Sequence, residues 1–117
     1  MTYDVNEKLL SPRELEVWNI LKDRYGKQNA ITSGEIEKEI GITRFHLSGI
    51  VQTLRITHKV PVCASKSGAK KGYFLPETKE EIINTMSDIE AQASKLLDIV
   101  TVMWSASKMV DEQPVMA

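Results

Sequence analysis

The sequence predicts a mainly α-helical chain with one small β-hairpin: three helices, the hairpin, and then a long C-terminal helix. Three observations predict it. Capping residues precede apolar positions at helical spacing in four places, at Ser11, Thr32, Thr43 and Thr78. A Gly-containing basic loop separates two short β-prone runs between residues 60 and 75. A 4-3-4-3 apolar stripe then runs from Ile82 to Val110.

The elements follow in order. Residues 1–10 are expected to be a flexible arm, with Leu9 and Leu10 able to pack on the body. Ser11-Pro12-Arg13-Glu14 is a dense helix start, since Ser11 can cap, Pro12 suits the first helical position and Glu14 can reach back to the Ser11 amide. Leu15, Trp18, Leu21 and Tyr25 continue it, and Gly26 is the expected stop. Trp18 and Tyr25 would suit a ligand's stacking platform, but at this spacing they read as core. Ala30 and Ile31 can form a small strand before a second capping box, Thr32-Ser33-Gly34-Glu35. Ile36 and Ile40 give that short helix one apolar side, Gly41 ends it and Thr43 caps the next. A short helix, a turn containing Gly and a longer helix make the helix-turn-helix pattern.

The third helix, 43–57, buries Leu47, Ile50, Val51 and Leu54 at i, i+3, i+4 and i+7. At 100° per residue its opposite face holds Phe45, Ser48, Gly49, Gln52, Thr53 and Ile56, with Arg44 and Arg55 on one flank and His46 on the other. Small and hydrogen-bonding groups edged by arginines suit a helix pressed into a DNA major groove. Gly49 costs helix stability and permits close backbone approach; tight packing against another helix is its alternative. Phe45 either contacts a thymine methyl or packs on the second helix. Val60–Ser65 and Gly72–Leu75 are the expected strands, and the loop 65–72 with Lys66, Lys70 and Lys71 forms a basic wing for phosphates. A phosphate loop at Gly68 and Gly72 is discarded, since the Lys-Ser/Thr pair that would follow is missing. Cys63 is expected to be a small core residue.

Charge singles out the same stretch. Residues 41–75 carry six Lys or Arg and no Asp or Glu, within a chain of net charge −1. A segregated positive segment is the electrostatic footprint of a nucleic-acid reader. The candidate DNA-binding residues are therefore Thr43, Arg44, Phe45, Ser48, Gly49, Gln52, Thr53, Arg55, Lys66, Lys70 and Lys71.

Glu39-Ile40-Gly41-Ile42-Thr43-Arg44, Ile50-Val51-Gln52-Thr53-Leu54-Arg55 and Lys71-Gly72-Tyr73-Phe74-Leu75 together resemble the winged-helix domain of biotin-repressor type. That family has a Gly-Ile/Val-Ser/Thr-Arg turn, a helix ending in Leu-Arg and a Lys-Gly-Tyr-x-Leu second wing strand. The resemblance covers roughly residues 13–76. It implies a winged helix-turn-helix fold, with the helix in the groove and the wing on the DNA backbone. The chain departs from the biotin repressor after Pro76, without the ligase domain, so no biotin chemistry is implied. The apolar or aromatic residue usual just after the turn Arg is here His46 or Leu47, and the wing loop exceeds the family's shortest forms.

A third capping box, Thr78-Lys79-Glu80-Glu81, opens the long helix. Ile82, Met86, Ile89, Ala93, Leu96, Val100 and Met103 form a heptad seam continued by Val110, with Ser107 in one slot. The stripe widens late, where Leu97, Ile99, Val102 and Trp104 are also apolar. Thirty residues of helix extend about 45 Å, too far for a small domain to cover by folding back. Dimerisation through Ile82, Met86, Ile89, Ala93, Leu96, Val100, Met103 and Trp104 is the expectation. The domains are then 11–76, a winged helix-turn-helix, and 77–110, the dimerisation helix, with flexible termini at 1–10 and 111–117.

Some classes are excluded as expectations. No apolar run approaches the roughly 20 residues a bilayer needs, no secretory leader is visible, and the single cysteine precludes an internal disulfide. A cytoplasmic protein follows. With no carboxylate pair, nucleophile–base set or metal cluster, no enzyme, no cofactor, no metal and no small-molecule ligand is expected. The expected partners are double-stranded DNA and a second copy of the chain, in a regulator of transcription. The competing readings are an adaptor of mobile-element type that docks another protein through the winged helix, which would expose Phe45 and Ile56 as an apolar patch, and an architectural or replication-origin binder.

Overall fold

Ser11 starts the first helix as its spacing requires. Its hydroxyl accepts from the Glu14 N–H and the Glu14 carboxylate accepts from the Ser11 N–H, both at 3.2 Å, so α1 (Pro12–Leu21) opens on a complete capping box. In the computed structural model, which describes residues 3–66 and 71–112, α1 ends well before Tyr25. The Leu75 N–H donates to the Arg24 carbonyl at 2.7 Å and the Gly26 N–H donates to the Leu75 carbonyl at 2.8 Å. Backbone committed to that edge cannot extend the i→i−4 ladder.

The next two helices meet across a tight turn. Thr32 caps α2 (Ser33–Ile40) through the Glu35 N–H at 3.1 Å. Glu35 accepts from the Thr32 hydroxyl, so the expected box forms by half. Gly41, at φ 64°, takes the left-handed conformation that ends α2. Thr43 accepts from the His46 N–H at 3.1 Å and caps α3 (Arg44–Ile56). Arg13 of α1 donates to the Ile40 carbonyl at 2.6 Å, satisfying an orphan acceptor at the end of α2 and bracing the turn. Leu47, Ile50, Val51 and Leu54 are all buried, in one core with Val17, Trp18, Leu21 and Ile36. Trp18 is thus core, and Tyr25 is half-buried against the same cluster.

Residues 3–10 are not a loose arm. A 3-10 turn spans Glu7–Leu9, Tyr3 and Val5 pack against the core, and the Tyr3 and Tyr25 rings stack with centroids 6.4 Å apart. Leu10 is buried, while Leu9 stays exposed.

The hairpin is shorter than expected. Strands β1 (Cys63–Ser65) and β2 (Gly72–Phe74) pair antiparallel, with Cys63 opposite Phe74 and Ser65 opposite Gly72. Val60 and Val62 belong to the core instead. The Val60 N–H returns to the Leu54 carbonyl at 3.0 Å, past Lys59 at φ 57°, and so closes α3. Ile31 adds a single bridge, exchanging bonds of 3.0 and 2.8 Å with Tyr73, in place of the expected small strand. Cys63 is buried, as expected of a small core residue. The hairpin tip 67–70, with Lys70, and the tail 113–117 lie outside the described residues.

Thr78 opens α4 (Lys79–Glu112) with both bonds of its capping box. Glu81 there accepts from three backbone N–H groups, those of Lys27, Glu77 and Thr78. Burial works to raise the Glu81 carboxyl, but those three donors and the nearby Lys27 charge outweigh it and hold the group below its ordinary range. The stability it contributes is present above the unfolded carboxylate pKa and is lost as pH falls through the lower folded value. Glu81→Ala should therefore cost about 1–2 kcal/mol near pH 7, and urea melts of parent and variant should begin to approach each other below about pH 4 and converge only below the depressed folded pKa. An unchanged gap at acid pH would show that the cost is not electrostatic.

The chain divides into two compact units, at Thr85/Met86 and not at the expected 76/77. The first turns of α4 belong to the first unit. Ile82 packs against Ala30, Cys63 and Phe74, and buried Thr85 accepts from the Ala64 N–H at 3.4 Å. In the second unit every described side chain from Met86 to Val110 is exposed. Among the described residues, no helix is long and apolar enough to cross a membrane.

Candidate nucleic-acid interface

The surface of α3 away from the core is set by the helix itself. With Leu47, Ile50, Val51 and Leu54 turned inward, Arg44, Phe45, Ser48, Gly49 and Gln52 are exposed, and so is the capping residue Thr43. Phe45 is 90% exposed, which removes packing on α2 as its role. A Cβ built on Gly49 meets nothing within 4 Å. Close packing of another helix therefore does not explain this glycine, although it carries the usual cost of about 1 kcal/mol in a helix interior. Thr53 is half-exposed, and its hydroxyl donates back to the Gly49 carbonyl at 3.1 Å.

Two residues differ from the sequence expectation. Arg55 is not a free flanking cation: its Nε donates to the Val62 carbonyl at 2.9 Å and ties the end of α3 to the lead of β1. Burial pulls its guanidinium below the ordinary arginine range, partly offset by Tyr73 and Cys63. Arg44 is well exposed, but its Nε lies 3.7 Å from a Glu37 carboxylate oxygen, so an acidic side chain of α2 shares its charge. A pair this loose and exposed contributes little and leaves Arg44 able to turn toward a ligand.

The base of the hairpin brings two more of the basic residues together. Lys66 and Lys71 line a shallow recess of about 230 Å³ with Thr32 and Ser33, at the start of α2. The positive end of the α2 dipole thus adds to the two ammonium groups. Sequence spacing did not point to Thr32 or Ser33 in this role, because the start of α2 is brought to the hairpin by the long-range Ile31–Tyr73 bridge. Arg13 was also missed as a positioning residue, since its contact spans 27 positions and no local pattern encodes it. Lys70, also expected here, lies outside the described residues.

On the second unit, Met86, Ile89, Leu96, Val100, Met103 and Trp104 are each 44–67% exposed. Ala93 shares that exposed stripe, and Ile82 does not, being packed in the first unit. No protein-family model, curated protein or solved structure matches this chain.

Opposite signs are expected for Gly49→Ala. With open space around the site, the methyl should stabilise the fold by about 0.5–1 kcal/mol. If the helix backbone approaches a partner at Gly49, the same methyl should weaken binding at least several-fold. A thermal melt and a duplex titration on one variant check both, and gained stability with undiminished binding would remove Gly49 from the interface.

Proposed function

We propose that this chain is a homodimeric, sequence-specific double-stranded-DNA-binding protein of winged helix-turn-helix type that regulates transcription. In this reading α3 enters the major groove, the hairpin acts as the wing on phosphates, and the second unit pairs two copies. The observation that carries it is the outer face of α3: Ser48, Gly49 and Gln52 are exposed at its centre, and the glycine has no packing neighbour to justify it. Arg44 at the start of α3 and Lys66 and Lys71 on the hairpin, all exposed, supply cations. Arg55 is kept as a residue that positions the wing, and Ile82 is assigned to the domain core.

Gln52 is the reader in this account, since its amide can pair bidentately with adenine. Duplex binding, followed by fluorescence anisotropy, should weaken steeply with salt as counterions are released. Gln52→Ala should cost about 1–3 kcal/mol on the preferred site and little on random DNA. Absence of binding at low salt would overturn the proposal, and equal losses on both duplexes would make Gln52 a backbone contact.

One observation favours a second reading. Phe45 at 90% and Ile56 at 61% exposure flank the same face, as a protein-docking surface would require. They lie three turns apart with Ser48, Gly49 and Gln52 between them, so the apolar surface is interrupted where a protein groove would need it continuous. Phe45→Ala is therefore expected to weaken duplex binding.

A further inference from the structure

We propose that residues 96–110 assemble four copies of the chain, so that one particle carries two pairs of DNA-binding units. The inference rests on the dimeric reading above and extends it. Its starting point is the amount of apolar surface. From Leu96 to Val110, nine large apolar side chains are each 47–67% exposed, on the order of 1,000 Å² on fifteen residues, where a monomer's largest apolar patch is typically about 300–600 Å².

Seven of the nine fall on two seams, while Leu97 and Trp104 lie on the opposite flank of the first. The first is the heptad line Leu96, Val100, Met103 and Val110, continuous with Met86, Ile89 and Ala93. The second is Ile99, Val102, Ala106 and Met109, which repeats the 3-4-3 spacing on its own. It begins only at Ile99, because the preceding positions of its register are Gln92 and Lys95. At 100° per residue the two lines are separated by about 100° around the helix. A two-stranded coiled coil covers one such line, so a pair formed through the first leaves the second in water.

The angle selects the occupant. In a four-helix bundle each helix meets its two neighbours at roughly 90° to one another, and in a three-helix bundle at roughly 60°. No charged side chain lies on either line between residues 96 and 110, so nothing on them opposes stacking of like chains. The remaining face carries the charged Asp98 and Lys108 together with Leu97 and Trp104, whose side chains border the first seam. Closed symmetry makes a dimer of dimers the natural product of two self-complementary seams.

The test uses the full chain in sedimentation velocity at tens of micromolar, with Ile99→Glu/Val102→Glu to break the second seam. A milder Ile99→Ser/Val102→Ser variant is run beside it, and circular dichroism confirms that each remains helical. The expected result is a four-chain parent and two-chain variants. Correspondingly, the parent should hold a labelled duplex on a surface-bound second duplex, and the variants should lose that bridging at least tenfold while still binding one duplex. A two-chain parent would overturn the four-chain inference and leave the dimeric reading standing. A one-chain parent would overturn both. A three-chain parent, or variants that remain four-chain, would rule out the second seam.

Discussion

Gly72→Ala is expected to destabilise the first unit by about 3–5 kcal/mol, a large fraction of what holds a small domain folded. Two independent costs meet at this position. Its φ of 133° lies where L-residues are rarely found. A Cβ there would also run into the Ile31 carbonyl and the Thr32 Cα, which are backbone atoms. They cannot yield as a flexible side chain would, since the Ile31–Tyr73 bridge holds them with bonds of 2.8 and 3.0 Å. Moving Ile31 would pull a fully engaged residue from the core and shift the start of α2. Urea unfolding by far-UV circular dichroism measures the effect, with Gly41→Ala as the comparison. Gly41 has φ 64° and nothing within 4 Å of its added Cβ, so it should cost only about 1–2 kcal/mol. Equal costs at the two glycines would mean that the close approach of Ile31 does not constrain Gly72.

What the sequence disclosed and what it withheld divide along range. The caps at Ser11, Thr43 and Thr78 were legible because each depends on residues within three positions. The buried face of α3 was legible because periodicity encodes it directly. The stop of α1 was not, because Gly26 is a plausible local terminator while the actual cause is pairing with Leu75, about fifty positions away. Likewise, the Lys27 amide reaches the Glu81 carboxylate across 54 positions. Charge counting placed Arg55 in the basic patch, but a count carries no direction, and the guanidinium turns back to Val62. The heptad stripe showed the same limit. Periodicity identifies a line of apolar residues without saying what covers it. Ile82 is covered by Cys63 and Phe74 in its own domain, whereas Met86, one turn on, is half exposed. Thr85, polar and off the stripe, is buried between them.

Leu96→Glu is expected to halve the number of chains in the sedimenting particle. Affinity for a duplex with two half-sites should fall by about 10²–10⁴, towards that of a single half-site. Leu96 is 63% exposed in the single chain and lies at the centre of the line running from Met86 to Val110. Burying such a side chain against a partner helix contributes about 1.5–3 kcal/mol. A carboxylate at this point forfeits that gain and must either shed water without a counter-charge or hold the helices apart. The first unit should keep its melting behaviour, because its core of Val17, Trp18, Leu21, Ile36, Leu47 and Leu54 contains nothing beyond Thr85. Binding to a single half-site should likewise persist, since Arg44, Gln52 and Lys71 are untouched. That combination separates loss of pairing from loss of folding, because a variant that merely misfolded would lose the half-site as well. A parent chain that sediments as a monomer at tens of micromolar would refute pairing through α4. A Leu96→Glu particle with the parent's mass would move the pairing surface elsewhere on the molecule.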